Sequence, residues 1–147
     1  MSNIFCRTLM LAAASLTAVL PARAAVQLEP GLWQDTETDL ENGKPAKPEV
    51  HTNCMSQEEA RDPLKTILKD FEGQKCDALN VKENGSTVTV EAKCGDPKQM
   101  RMELDMIIKF ITTQHYTGTM KSLVIFRGQR VASERTIDSK WIATSCK

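Results

Sequence analysis

Apolar and polar residues alternate most regularly in the second half of the chain. From Met100 to Phe110 every even-numbered residue is apolar, and most of the odd-numbered ones are charged. A period of two is typical of a strand that buries one face. Shorter stretches of the same kind, bounded by turn residues, predict further strands over residues 31–40, 77–83, 86–94, 116–126 and 131–142. The pattern therefore predicts a curved antiparallel sheet of about six or seven strands, arranged as a meander.

Turn residues indicate how these strands connect. Asn42-Gly43 and Asn84-Gly85 are pairs that tight hairpins favour, because both residue types tolerate positive φ angles. The strand predicted over residues 45–53 contains Pro45 and Pro48, which cannot donate backbone hydrogen bonds to a neighbouring strand. The sequence thus predicts two tight hairpins, one of which ends in an irregular strand at a sheet edge.

One helical segment interrupts the strand pattern. Ser56 and Glu59 fit a capping box, whereas Pro63 disrupts a continuous helix. Two short helices joined by an elbow are therefore predicted, the second reaching Glu72. Apolar residues spaced at i, i+3, i+4 and i+7 form one stripe on the second helix: Leu64, Ile67, Leu68 and Phe71. The stripe predicts that the kinked segment packs on the concave face of the sheet, which gives an α+β domain that is mainly β.

The first 24 residues have the pattern of a secretory signal peptide. An apolar run from Leu9 to Leu20 follows a basic start and leads to Ala22-Arg23-Ala24, a small-x-small cleavage site. The run is a dozen residues long, shorter than the roughly 20 that a transmembrane helix needs. We expect cleavage before Ala25, a single domain over residues 25–147, and no transmembrane segment after cleavage.

Charge narrows the range of partners. The full chain has 19 basic and 19 acidic residues. The signal contains two of the basic residues and none of the acidic ones, so the mature chain has an acidic excess of two. Nucleic-acid binding domains carry a clustered basic excess. The composition therefore predicts no nucleic-acid partner.

Four cysteines remain after the signal and its Cys6 are removed. Structural zinc sites use closely spaced ligand pairs, and these cysteines are far apart in the chain, so no metal site is predicted. Small exported domains use disulfides to supplement a modest core. We therefore predict two disulfides among Cys54, Cys76, Cys94 and Cys146.

The meander and the hairpin register suggest a pairing. In a simple meander, Cys54, Cys76 and Cys94 lie at one rim of the sheet. A two-residue turn at Asn84-Gly85 sets Cys76 opposite Lys93, and a direct bridge from Cys76 to Cys94 then requires a bulge or a slipped turn. The preferred pairing is therefore Cys54 with Cys76 and Cys94 with Cys146.

No catalytic constellation is visible in the sequence. The chain lacks the Gly-x-Ser-x-Gly elbow of many serine hydrolases and the glycine-rich loops that cradle phosphates. His51 and His115 are isolated, and Glu37 with Asp39 fits a solvated strand face. We predict no catalytic, cofactor-binding or metal-binding residue, and we expect that the protein is not an enzyme.

Four methionines on the strands allow two interpretations. Their side chains are flexible and polarizable, so they suit an adaptable apolar pocket as well as a solid core beneath the helices. Whether the space between helices and sheet is hollow or filled decides between the two. The candidate pocket residues are Met100, Met102, Met106 and Met120.

Several motifs stand in order along the chain: Pro30-Gly31-Leu32-Trp33, Cys54 before the Ser-Gln-Glu-Glu-Ala segment that starts at Ser56, Asp62-Pro63-Leu64, Cys76, Cys94, Tyr116-Thr117-Gly118-Thr119, and Trp141 with Cys146. Together they resemble one family, domain of unknown function 3617, which comprises small exported proteins of Gram-negative bacteria. The resemblance implies a periplasmic location, where periplasmic disulfide-forming machinery assists folding, and it carries no activity.

These observations favour a non-catalytic periplasmic module that binds a small apolar ligand or an envelope protein. The alternative is a structural or protein-interaction factor of the cell envelope. An enzyme of unidentified type is the third hypothesis.

Overall fold

A computed structural model describes residues 26–41, 43–69, 71–96 and 98–146. The predicted signal and its cleavage site lie outside these ranges. Within them, the chain forms eight strands and two short helices, and the prediction of a mainly β, α+β domain is confirmed. The strands are β1 (Gly31–Glu41), β2 (Lys44–Pro45), β3 (Glu49–Met55), β4 (Cys76–Asn84), β5 (Thr87–Asp96), β6 (Met100–Thr112), β7 (His115–Phe126) and β8 (Gln129–Ala143); the helices are α1 (Gln57–Arg61) and α2 (Pro63–Lys69).

All strands belong to one antiparallel sheet. Its order is β2-β1-β8-β7-β6-β5-β4, and β3 pairs with β1 beside β2. Strands β4 to β8 form the predicted meander, and β1 then pairs with the last strand of the chain. This topology places β3 and β4 at opposite edges of the sheet, so the helices that connect them cross its concave face.

The helical segment follows its local signals. The backbone N–H of Ser56 donates to Glu59 Oε2 at 2.7 Å, and the Glu59 N–H donates back to Ser56 Oγ at 3.3 Å, which completes the capping box. Asp62 Oδ1 accepts from the Lys65 N–H at 3.0 Å and starts the second helix. That helix ends at Lys69, earlier than the predicted Glu72, and residues 71–74 form turns.

The structure pairs the cysteines differently from the prediction. Cys54 is bonded to Cys146, and Cys76 is bonded to Cys94. The predicted pairs Cys54–Cys76 and Cys94–Cys146 are therefore wrong. A Cys54–Cys76 bond required the end of β3 and the start of β4 to lie at the same rim of the sheet. Instead, β1 lies between β3 and β8, and Leu32 pairs with Cys54 on one side and with Ala143 on the other.

The β4–β5 hairpin also differs in register from the prediction. Its two-residue turn follows Asn84 instead of including it, since Asn84 pairs with Thr87. Gly85 has a φ of 60° and occupies the first turn position, as in type II′ turns, so no positive φ is needed at Asn84. A bulge just after Cys76 then brings that residue opposite Cys94.

Candidate ligand-binding pocket

A cavity of about 230 Å³ separates the helices from the middle of the sheet. Glu59 of α1 and Pro63, Thr66 and Ile67 of α2 line its helical side. The sheet side is apolar and comes from β6, β7 and β8, through Met106, Ile108, Phe110, Tyr116, Met120 and Ile137. The interior between helices and sheet is therefore hollow at this position.

Strand register explains why these side chains share one face. Directly opposed residues of an antiparallel pair point to the same side of the sheet. Met106 pairs with Met120, Ile108 with Gly118, and Phe110 with Tyr116, and the alternation of β6 carries all three rows to the helical side. The predicted amphipathic strand thus supplies most of one cavity wall.

Gly118 leaves the centre of that wall without a side chain. It lies between Ile108 of β6 and Ile137 of β8. A Cβ built on Gly118 would be 3.6 Å from the Ile107 carbonyl oxygen and 3.8 Å from Ile137 Cβ, which are ordinary van der Waals distances. A glycine inside a strand costs stability, and here the surrounding structure has room for a side chain. The missing side chain is therefore what keeps this part of the cavity open.

A filled core lies beside the cavity, on the β4–β5 side of the sheet. Val88, Val90 and Ala92 of β5 are buried, as are Leu104 of β6 and Phe71 after the second helix. Leu64, Ile67 and Leu68 pack against this core. The apolar stripe of the helix thus covers a solid core on one side and the cavity on the other.

The four candidate methionines occupy two different environments. Met106 and Met120 pair with each other and line the cavity, together with Met55, which the sequence did not single out. Met102 pairs with Cys94 and Val124, and Met100, at the start of β6, is 57% exposed. Met100 and Met102 are not among the lining residues, because they lie toward the far end of β6 from the cavity.

A polar cluster lies on the same face of the sheet, and the sequence did not predict it. Asp35 of β1 is only 6% exposed and accepts hydrogen bonds from Asn53 Nδ2 and Ser139 Oγ. His51 Nε2 lies 3.7 Å from Asp35 Oδ2 and 3.4 Å from Glu37 Oε1, so His51 is not isolated. These residues are distant in sequence and meet because β1 pairs with both β3 and β8. The available signal was that the acids of β1 stand at every second position after Trp33, a core residue, and so share its face.

Arg135 of β8 connects one further carboxylate, Asp39, to the Glu37 side chain of this cluster. Its Nε donates to Asp39 Oδ1 at 2.6 Å, and its second terminal nitrogen donates to Asp39 Oδ2 at 3.3 Å. The remaining terminal nitrogen donates to Glu37 Oε2. This hydrogen bonding lowers the pKa of Asp39 and raises the pKa of Arg135. Glu37 and Asp39 therefore form ion pairs with Arg135, whereas the sequence predicted only a solvated strand face.

The cavity and the polar cluster are adjacent. Tyr116 and Ile137 line the cavity, and their partners across the strands are Ser139 and Glu37. Burial raises the pKa of Tyr116, and the nearby Asp35 and Glu37 charges raise it further, although its hydrogen bond to Ser139 acts in the opposite direction. We use the name acidic rim for the carboxylates of β1 and β3 on this face, Asp35, Glu37, Asp39 and Glu49.

The other histidine lies on the opposite face. His115 begins β7 and its Nε2 is 2.6 Å from Asp138 Oδ1. Hydrogen bonds from Lys140 and His115 lower the pKa of Asp138. Over the described ranges, no group of three or more His, Cys, Asp or Glu side chains is arranged to hold a metal ion.

The ion pair between Asp39 and Arg135 should weaken in acid, and the variant Asp39→Asn tests this effect. Ionised Asp39 stabilises the fold above its usual pKa of 3.8, and this contribution is lost as the pH falls through its lowered pKa. We expect the melting temperature of Asp39→Asn to fall less than that of the wild type between about pH 5 and about pH 2. Thermal melts across this range test the difference, with Asp105→Asn, on the opposite face, as the control that follows the wild type. Equal slopes for Asp39→Asn and the wild type would contradict the assigned ion pair.

Comparison with known proteins identifies the family of this chain. The family model described as protein of unknown function (DUF3617) matches residues 28–146. The chain belongs to the DUF3617 family. The DUF3617 match extends from Leu28, which lines the cavity, to Cys146, which closes the longer disulfide. No curated protein and no solved structure matches the chain. Neither helix in the described part of this DUF3617 protein has the length and apolar character needed to span a membrane.

Proposed function

We propose that this protein is a non-catalytic periplasmic module that binds a small apolar ligand in the cavity between its helices and its sheet. The observation that carries the proposal is the cavity itself, whose sheet side is lined almost entirely by apolar side chains. Ligand sites are typically concave, apolar and largely preformed. A packed core lies beside the cavity and bounds it on that side with buried apolar side chains.

The size of the cavity supports a slender ligand. A volume of about 230 Å³ is below the roughly 300–1,000 Å³ of pockets that enclose drug-sized molecules. A single aliphatic chain or a small aromatic group suits this space, and the rest of a longer ligand extends outside. Met55, Met106 and Met120 suit such a role, because thioether side chains adapt to varied apolar shapes.

An exported location agrees with the two disulfides. Disulfides persist in oxidising compartments such as the bacterial periplasm. Cys54–Cys146 and Cys76–Cys94 involve all four cysteines that remain after the proposed signal is removed. We propose that the protein acts in the periplasm of a Gram-negative bacterium, after signal cleavage before Ala25.

A fluorescence titration tests the binding function. The oxidised mature protein is titrated with N-phenyl-1-naphthylamine, an apolar dye whose emission rises in apolar surroundings. We expect saturable binding of one dye per protein, with a dissociation constant in the micromolar range, about −8 kcal/mol. Emission that rises without saturation, as for unspecific surface adsorption, would contradict the proposal.

A further inference from the structure

The polar surroundings of the cavity are strongly biased toward negative charge. The acidic rim contributes four carboxylates on β1 and β3. Arg135 is the fixed cation among them, and His51 adds a second charge only when it is protonated. On the helical side, the lining contributes one more carboxylate, Glu59, whose pKa is lowered by the hydrogen bonds from Ser56 and by the nearby Lys69 charge; within the described ranges neither Lys nor Arg is among the lining residues.

The acidic rim lies within reach of a ligand that occupies the cavity. Glu37 pairs directly with the lining residue Ile137, so the two backbones are one strand spacing apart, about 5 Å. Arg135 pairs with the lining residue Met120 on one side and with Asp39 on the other, which puts Asp39 about 10 Å from Met120. An amphiphile whose polar end leaves the cavity on the β8–β1 side therefore has that end within about a nanometre of these carboxylates.

Arg135 is poorly placed to bind an anionic ligand. Its three nitrogens donate to Asp39 and Glu37, in a bidentate arrangement on Asp39. Three of its five N–H donors are used in this way, and an anion that approached the other two would face the charges of Glu37 and Asp39 at short range. A cation meets the opposite situation, because the carboxylates of the rim outnumber the cations that neutralise them.

We propose that the cavity selects amphiphiles that combine one aliphatic chain with a positively charged polar end, and that it discriminates against an anionic end on the same chain. The inference rests on the proposed binding function and adds the chemistry of the ligand. Like charges at these distances repel and opposite charges attract, with an effect that salt screens. The aliphatic chain supplies most of the affinity, and the polar end determines which amphiphile binds best.

Three ligands of equal chain length test the selectivity: decylammonium, decanol and decanoate. Each is used to displace N-phenyl-1-naphthylamine from the wild-type protein at pH 7. We expect decylammonium to bind at least about tenfold more tightly than decanoate at about 20 mM salt, with decanol between them. The ratio should shrink in about 0.5 M salt, because the Debye length falls to a few ångströms.

Charge variants on one strand pair assign the effect to the rim. In the double variant Glu37→Gln/Asp39→Asn, two of the four rim carboxylates are removed and Arg135 loses both of its partners, so the preference for decylammonium over decanoate should shrink to less than about threefold. Decanol should be unaffected. Glu134→Gln is the matched control, because Glu134 precedes Arg135 on β8 but pairs with Leu40 and Lys121 on the opposite face.

The outcomes separate the two proposals. Decanoate that binds wild-type protein as tightly as decylammonium at low salt would overturn the selectivity and leave the binding function intact. Dye that none of the three ligands displaces would overturn the binding of aliphatic chains itself. The salt dependence of the wild type provides the same test of the charge effect if the double variant does not fold.

Discussion

Replacement of Gly118 by valine should abolish dye binding while leaving the protein folded. The new side chain fits at the backbone, because its Cβ meets neighbouring atoms at 3.6 Å or more. Its two methyl groups then project into the cavity between Ile108 and Ile137. We expect the affinity for N-phenyl-1-naphthylamine to fall by more than about tenfold, a loss of at least about 1.4 kcal/mol.

Gly118→Val should preserve or raise the stability of the protein although it weakens dye binding. Glycine in a strand is less stable than a residue with a side chain by about 0.5–1 kcal/mol, and valine is a good strand former. The melting temperature of Gly118→Val should therefore equal or exceed that of the wild type. Thermal melts by circular dichroism, run beside the fluorescence titration, distinguish a blocked cavity from an unfolded protein.

Two further variants complete the test. Gly118→Ala adds a single methyl group and should weaken dye binding less than valine does. Thr117→Val is the matched control, since Thr117 is the adjacent residue on β7 and pairs with Lys109 and Asp138 on the other face. A Gly118→Val protein that binds the dye like the wild type would show that the ligand site is not this cavity.

Removing the two disulfides should destabilise the protein by different amounts. Cys54→Ala/Cys146→Ala opens a loop spanning 92 residues, and Cys76→Ala/Cys94→Ala opens one spanning 18. Loop-closure entropy predicts losses in the free energy of unfolding of about 4.5 kcal/mol for the first pair and about 3 kcal/mol for the second. The longer loop costs more because the crosslink restricts more of the unfolded chain.

Urea denaturation of the two double variants measures this difference. Each pair is replaced by alanine, so both variants remove the same atoms. Peptide mapping of the unreduced wild type provides a direct check on the pairing. A larger loss for the Cys76–Cys94 pair would contradict the loop-entropy account. A mapped bond between Cys54 and Cys76 would contradict the strand order that places β3 and β4 at opposite edges.

Local features of the fold were predictable from the sequence. The capping box at Ser56, the elbow before Pro63 and the alternation of β6 depend on residues that are close together in the chain. Their outcomes follow from hydrogen bonding and side-chain periodicity within one element. The mainly β fold with helices on one face follows from the same periodicities.

Long-range pairings were not predictable in this way. The pairing of β1 with β8 joins residues about 100 positions apart, and no local pattern specifies it. The Cys54–Cys146 disulfide, the contact of Asp35 with Ser139 and the ion pairs of Arg135 all depend on that one strand pair. A one-position change in the turn after Asn84, together with a bulge, was enough to redirect the Cys76 bridge.

The cavity was predictable only in part. The even positions of β6 indicated which face is apolar. Met106 stands at one of these positions and lines the cavity. Gly118 carried a further signal, because glycine inside a strand often marks a special packing requirement. The sequence did not indicate how far along β6 the helices extend. For this reason it could not predict that Met106 lines the cavity while Met100 is exposed.

The central claim is that an aliphatic chain binds between the helices and β6–β8, and the methionines test it most directly. The mature chain has five, of which Met55, Met106 and Met120 line the cavity while Met100 and Met102 do not. Protein labelled with ¹³C at the methionine methyl groups is titrated with decylammonium and followed by NMR. We predict that the signals of Met55, Met106 and Met120 shift together and saturate, while those of Met100 and Met102 stay in place. Shifts confined to Met100 and Met102, or no shift at any methionine, would contradict the account.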